Sequence, residues 1–256
     1  MVRVLIAGTD TGVGKTVVTA LLAACLRRRG VNAGVMKPVS SGCVQTDHGL
    51  VSPDAMLFER ALGPLDPPEL VNPVRYRAPL APSVAARKEG RALDLPALDA
   101  AFEEMARRYD VLLVEGVGGL LVPLEGRFTV ADLALRWKLP LLVVARPGLG
   151  TINHTALTVL HARARGIPVA GFVFNSCRCD APPPRQGVRD ARERSVEQAA
   201  EGEGLSADNA ACIGELCEAP FLGSIPRGGA DPVAPDSWDR LLAAAAPIAD
   251  ALISRI

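Results

Sequence analysis

Residues 2–29, VRVLIAGTDTGVGKTVVTALLAACLRRR, leave few folds open to this chain. Val2, Val4, Leu5, Ile6 and Ala7 form a short apolar run rich in β-branched residues, the length and chemistry of a buried strand. GTDTGVGKT (8–16) follows at once, and Val17, Leu21, Leu22, Ala24, Cys25 and Leu26 then recur at helical spacing. Strand, glycine-rich turn and helix are the setting of a phosphate-binding loop. The unpaired N–H groups and dipole of the helix start attract an anion. Gly12 and Gly14 allow the close backbone approach that a polyphosphate needs, with Val13 between them. Lys15 is placed to reach the β- and γ-phosphates, and the Thr16 hydroxyl to ligate Mg²⁺. The pattern departs from the standard one at Thr9, where the first glycine would stand; Gly8 lies one place further out.

Short apolar runs and helical patterns continue to alternate, so the expected class is α/β: one P-loop NTPase-like domain over 1–256, a mostly parallel sheet with helices on both faces. Ala33–Met36 reads as the second strand, ending at Lys37-Pro38, and Ser52-Pro53-Asp54 opens a helix over 52–62. Residues 64–82 carry six prolines and read as an irregular excursion. A helix over 94–108 leads to the strand 111–114, which ends at Glu115-Gly116-Val117-Gly118-Gly119. Thr129 and Asp132 are spaced as a capping pair for a helix over 129–136. Strands over 139–144, 169–174 and 220–226 and helices over 152–165 and 236–253 complete the series, while 176–206 reads as a mobile insertion. In such sheets ligands bind beyond the carboxyl ends of the strands. Lys15 and Thr16, Lys37 and Ser41, Glu115, and Asn175 all stand there.

Charge narrows the partners. Lys+Arg and Asp+Glu are both 28, so no overall field draws the chain to nucleic acid or to an anionic membrane. No apolar stretch approaches the ~18 residues of a spanning helix, and the strand at Val2 replaces any leader; a cytoplasmic location is expected. The six scattered cysteines form no disulfide framework, and Cys177-x-Cys179 has no second pair at zinc spacing. His154 and His161 read as packing or polar helix residues.

GTDTGVGKT (8–16), KPVSSG (37–42), Asp54, VEGVGG (114–119), GLGTINHT (148–155), Asn175 and GSIP (223–226) together resemble the dethiobiotin synthetase family, in order and over nearly the whole chain except 176–206. The resemblance implies ATP-dependent ring closure of the vicinal diamine 7,8-diaminononanoate with CO₂, through a carbamate, to dethiobiotin, ADP and phosphate. It implies Lys37, Lys15 and Thr11 as catalytic residues, and Mg²⁺ held by Thr16, Asp54 and Glu115. ATP would lie against Gly12, Val13, Gly14, Lys15, Thr16 and Val17, against Glu115, Gly116, Val117 and Gly118, and against Asn175, Pro226, Arg227 and Gly228, with Asn175 reading the adenine edge. The diamine would meet Thr11, Lys37, Ser41 and Pro79. Its tail carboxylate would meet Gly150, Thr151, Ile152 and Asn153, supplied by the second subunit of a homodimer with shared active sites.

Taken singly, Lys37 is an ordinary rim lysine, Glu115 a turn acid and Asp54 a helix-start residue favoured by the dipole. Their place beside a phosphate loop is what favours the functional reading. Partitioning and regulatory ATPases share the loop, but carry a signature lysine where this chain has Asp10. Related corrinoid amide-forming ligases need a glutaminase domain, for which no segment here is available.

Overall fold

In a computed structural model that describes residues 1–47, 49–177, 203–229 and 231–256, the chain runs as follows. β1 (Val2–Gly8) leads to α1 (Lys15–Arg28) and β2 (Ala33–Met36). The short strands β3 (Val39–Ser40), β4 (Val44–Thr46) and β5 (Gly49–Val51) precede α2 (Pro53–Leu62) and α3 (Pro68–Val71). Next come β6 (Val74–Arg75), α4 (Pro82–Glu89), α5 (Leu95–Arg108) and β7 (Val111–Gly119). β8 (Pro123–Glu125), β9 (Phe128–Thr129), α6 (Val130–Arg136), β10 (Leu141–Ala145) and α7 (Thr151–Ala164) follow. β11 (Val169–Asn175), α8 (Glu203–Cys217), β12 (Phe221–Ile225) and α9 (Pro235–Ile253) close the series.

Six strands form one parallel sheet in the order β12-β11-β10-β1-β7-β2, with β1 in the interior. Alternate residues face opposite layers, as the strand period requires. Val4, Ile6, Val35, Val111 and Leu113 pack with α1, Phe58 of α2, and Leu241, Ala245 and Ile248 of α9. Leu5, Ala7, Leu112, Val114, Phe172 and Phe174 pack instead with Leu98 and Met105 of α5, Leu133 of α6, Val159 of α7 and Ile213 of α8. No helix among the described residues is long and apolar enough to cross a membrane.

The register also aims the site. Met36 pairs with Val114, so Lys37 comes level with Glu115 one step on. Both continue the parity of Val35 and Leu113, whose face is the α1 face. The expected strand over 111–114 in fact continues to Gly119, which keeps Glu115 inside the sheet opposite Ile6.

The excursion over 64–82 holds α3 and β6, and β6 pairs in parallel with β3. α4 was not expected, although Pro82 starts it and Gly90 ends it at φ 61. The insertion expected over 176–206 lies outside the described residues from 178 to 202; α8 begins at Glu203. The Thr129–Asp132 capping box forms as expected.

α2 starts on Ser52, whose buried hydroxyl accepts from the Ala55 amide at 3.1 Å. Loss of such a cap costs about 1 kcal/mol. Ser52→Ala should therefore lower the urea midpoint by that equivalent; an unchanged midpoint would mean that the cap carries no stability.

Candidate active site

The loop between β1 and α1 turns through Gly12 (φ 70) and Gly14 (φ 87), the second serving as N-cap of α1. Side-chain-free approach is required at Gly14, where a Cβ would lie 1.9 Å from Nδ2 of Asn175. That nitrogen donates to the Val13 carbonyl at 2.9 Å and to the Cys177 carbonyl at 2.7 Å. Asn175 is buried and fastens the loop to the end of β11. Gly228 approaches Cys177 closely, which brings Pro226, Arg227 and Gly228 to the same flank of the loop. Gly8 also has a reason: a Cβ there would lie 2.7 Å from the Asp10 carbonyl and 2.9 Å from Nζ of Lys15.

Thr11, Gly12, Gly14, Lys15, Thr16, Lys37, Ser40, Ser41, Asp54, Glu115, Val117 and Gly118 line a cleft of about 280 Å³ at this loop. Val13 and Val17 are buried in the core beneath it. Lys15 is 6% exposed and its Nζ donates to the Asp10 carbonyl at 3.2 Å. Among the described residues it makes no ion pair with a carboxylate. Burial, and then the charge of Lys37, pull its pKa down to about 8.

Lys37 is only 3% exposed, and its ammonium joins three groups. It meets Oε1 of Glu115 at 2.5 Å, Oδ2 of Asp54 at 2.9 Å and the Gly116 carbonyl at 3.1 Å. Burial opposes its charge, but the two carboxylates outweigh burial and hold the ammonium above the ordinary lysine range. Burial likewise opposes the charge on Asp54, and Lys37 and the Thr16 hydroxyl overcome it, so its pKa falls. The Lys37 backbone is gripped too. Its N–H donates to the Val71 carbonyl, and Nδ2 of Asn72 donates to its carbonyl, each at 2.6 Å.

Thr16 Oγ1 lies 2.9 Å from Oδ1 of Asp54 and 3.0 Å from Oε1 of Glu115, while Oε2 of Glu115 is buried with no hydrogen-bond partner among the described residues. Two carboxylates and a hydroxyl, all oxygen donors at the mouth of a phosphate loop, fit Mg²⁺, which keeps water and phosphate as its other ligands.

Pro79 stands against Gly42, beside Ser41. Gly150 (φ 82) caps α7. The Thr151 N–H donates to the Gly148 carbonyl at 3.2 Å, so it is not free for an anion at the start of α7. The Thr151 side chain is buried beside Thr155, whereas Asn153 is exposed. Sequence reasoning missed Asp10, Ser40 and Asn72. Asp10, inside GTDTGVGKT, and Ser40, inside KPVSSG, carried a local signal; Asn72 carried none.

Fold and cleft together define a P-loop nucleotide-using α/β protein. A family model described as an AAA domain matches residues 2–229. The ATP-dependent dethiobiotin synthetase BioD of Anaeromyxobacter dehalogenans (strain 2CP-C) is 49% identical over 170 residues, 66% of this chain and 74% of that protein. The same-named protein of Aquifex aeolicus (strain VF5) is 46% identical over 176 residues, 68% of this chain and 76% of its own. This chain belongs to the ATP-dependent dethiobiotin synthetase family. Among solved structures, the MinD cell division protein of Aquifex aeolicus superposes with a TM-score of 0.57, covering 100% of this chain and 98% of its own. At 17% identity that likeness is one of fold alone.

Proposed function

We propose that the protein carboxylates 7,8-diaminononanoate and closes the ring at the expense of ATP, giving dethiobiotin, ADP and phosphate. Beside family membership, one observation carries this reading. A buried, charged Lys37 is held between Asp54 and Glu115, next to a phosphate loop whose Lys15 makes no ion pair with a carboxylate among the described residues.

One neutral amine adds to CO₂ and sheds a proton, leaving a carbamate. A carbamate oxygen attacks the γ-phosphorus while its bond to ADP breaks, which gives a carbamic–phosphoric anhydride. The second neutral amine attacks the carbonyl carbon and loses a proton, and phosphate leaves with the C–O bond electrons as the cyclic urea closes. Two anions must meet in the second step, so cations and preorganised donors supply most of the acceleration. Lys15 and the loop amides balance the phosphates, Lys37 balances the charge where carbamate and γ-phosphoryl meet, and Thr11 and Ser41 orient the diamine side. Bound by Thr16, Asp54 and Glu115, Mg²⁺ would neutralise phosphate charge. Pro226, Arg227 and Gly228 flank the loop where the nucleoside would extend.

The diamine's tail carboxylate calls for an anion site beyond the cleft, and the open first turn of α7 at Ile152 and Asn153 suits it. Leu149, Leu157 and Leu160, in and just before α7, are 74%, 61% and 46% exposed, which favours cover by a second copy. The working unit of this reading is therefore a two-fold dimer.

Mixing protein, diamine, bicarbonate and Mg-ATP should yield dethiobiotin by mass spectrometry. ATP hydrolysis without that product would overturn the reading. Asp54→Asn and Glu115→Gln keep size but remove charge, so each should raise the Mg²⁺ concentration for half-maximal rate by about tenfold. Unchanged titrations for both would remove them as ligands.

A further inference from the structure

Ser40 is 1% exposed, forms part of the cleft wall, and its Oγ has no hydrogen-bond partner among the described residues. Its backbone is fixed, since the Ser40 carbonyl accepts from Tyr76 at 2.9 Å as β3 pairs with β6. A buried hydroxyl without a partner costs free energy that a ligand in the cleft would return. β3 follows Lys37 after a single residue, Pro38, so Ser40 belongs to the wall that carries Lys37 and Ser41, not to the phosphate loop.

We infer that Ser40 is a substrate-positioning residue whose hydroxyl accepts an N–H from an amine of the bound diamine, an inference that rests on the reaction proposed above. The chemistry favours an uncharged acceptor here. Both bond-forming amines must react as neutral bases, and a carboxylate in this place would favour the protonated, non-nucleophilic ammonium. A hydroxyl can hold one N–H and leave the amine lone pair free. Asp54 and Glu115 do not serve this way: they are carboxylates tied to Lys37 and Thr16, and the unpartnered Oε2 of Glu115 would favour the ammonium form just described.

Ser40→Ala should weaken diamine binding by about 3- to 10-fold in titration calorimetry, the range of one neutral hydrogen bond. The diamine KM should rise by the same factor, with the ATP KM unchanged. The ligand-free melting temperature should stay level or rise, since no protein hydrogen bond is lost. Unchanged diamine affinity in a protein that makes dethiobiotin would overturn the inference alone. So would a lowered ligand-free melting temperature with unchanged affinity, which would mark a structural role. Wild-type protein that binds no diamine would overturn this inference and the proposed reaction together.

Discussion

Lys37→Ala should lower turnover at saturating substrates by about 10²–10³-fold, the size seen when one preorganised donor is taken from developing negative charge. Nucleotide affinity should move far less, because the loop amides and Lys15 supply most of it. The variant also leaves Glu115 buried without its 2.5 Å partner, so part of any loss would be a loss of folded protein. Adding Glu115→Gln separates the two. The double variant should recover much of the melting temperature lost by Lys37→Ala, yet none of its turnover. Near-normal turnover of folded Lys37→Ala protein would remove the lysine from the chemistry.

A second large effect is expected at the start of α7. Because Thr151 is buried beside Thr155, the informative charge goes on exposed Asn153. Asn153→Glu should set a carboxylate against the substrate's own and raise the diamine KM by roughly two orders of magnitude, with little change for ATP. Mixed with Lys37→Ala, it tests whether two chains share each site. After random exchange half of the dimers are mixed, and each of these has one site with Lys37 from one chain and Asn153 from the other. Activity should return to roughly a quarter of wild type per subunit. No recovery despite proven exchange would place both residues in the same chain's site.

The main sheet was legible because its strands centre on short apolar runs, such as Leu141–Ala145, most of them followed by a polar residue or glycine. The phosphate loop was legible because its spacing is local. β3, β4, β5, β8 and β9 were not, since two or three residues carry no period and owe their pairing to turns and distant partners. α4 was lost in a run of prolines that hid a helix-starting Pro82. In the site, the sequence placed Lys37, Asp54 and Glu115 near strand and helix ends. That one ammonium spans both acids depends on the β2–β7 register and on the start of α2, which no local pattern encodes. The Asn175 contact with Val13 joins residues 162 apart, so its role in fastening the loop was equally out of reach.

The two hydrogen bonds that grip the Lys37 backbone run to the Val71 carbonyl and from the Asn72 side chain, at the end of α3. Protein engineers seeking dispensable length would turn first to this proline-rich stretch, which has the look of a spacer. Cutting or lengthening it between Pro67 and Arg75 would shift the anchor of the lysine by ångströms and so detune the reaction without touching any residue of the cleft. Exposed Gly90, in the turn after α4, is the safer splice point: among the described residues its Cβ position meets nothing within 4 Å and no strand of the main sheet is tied to it.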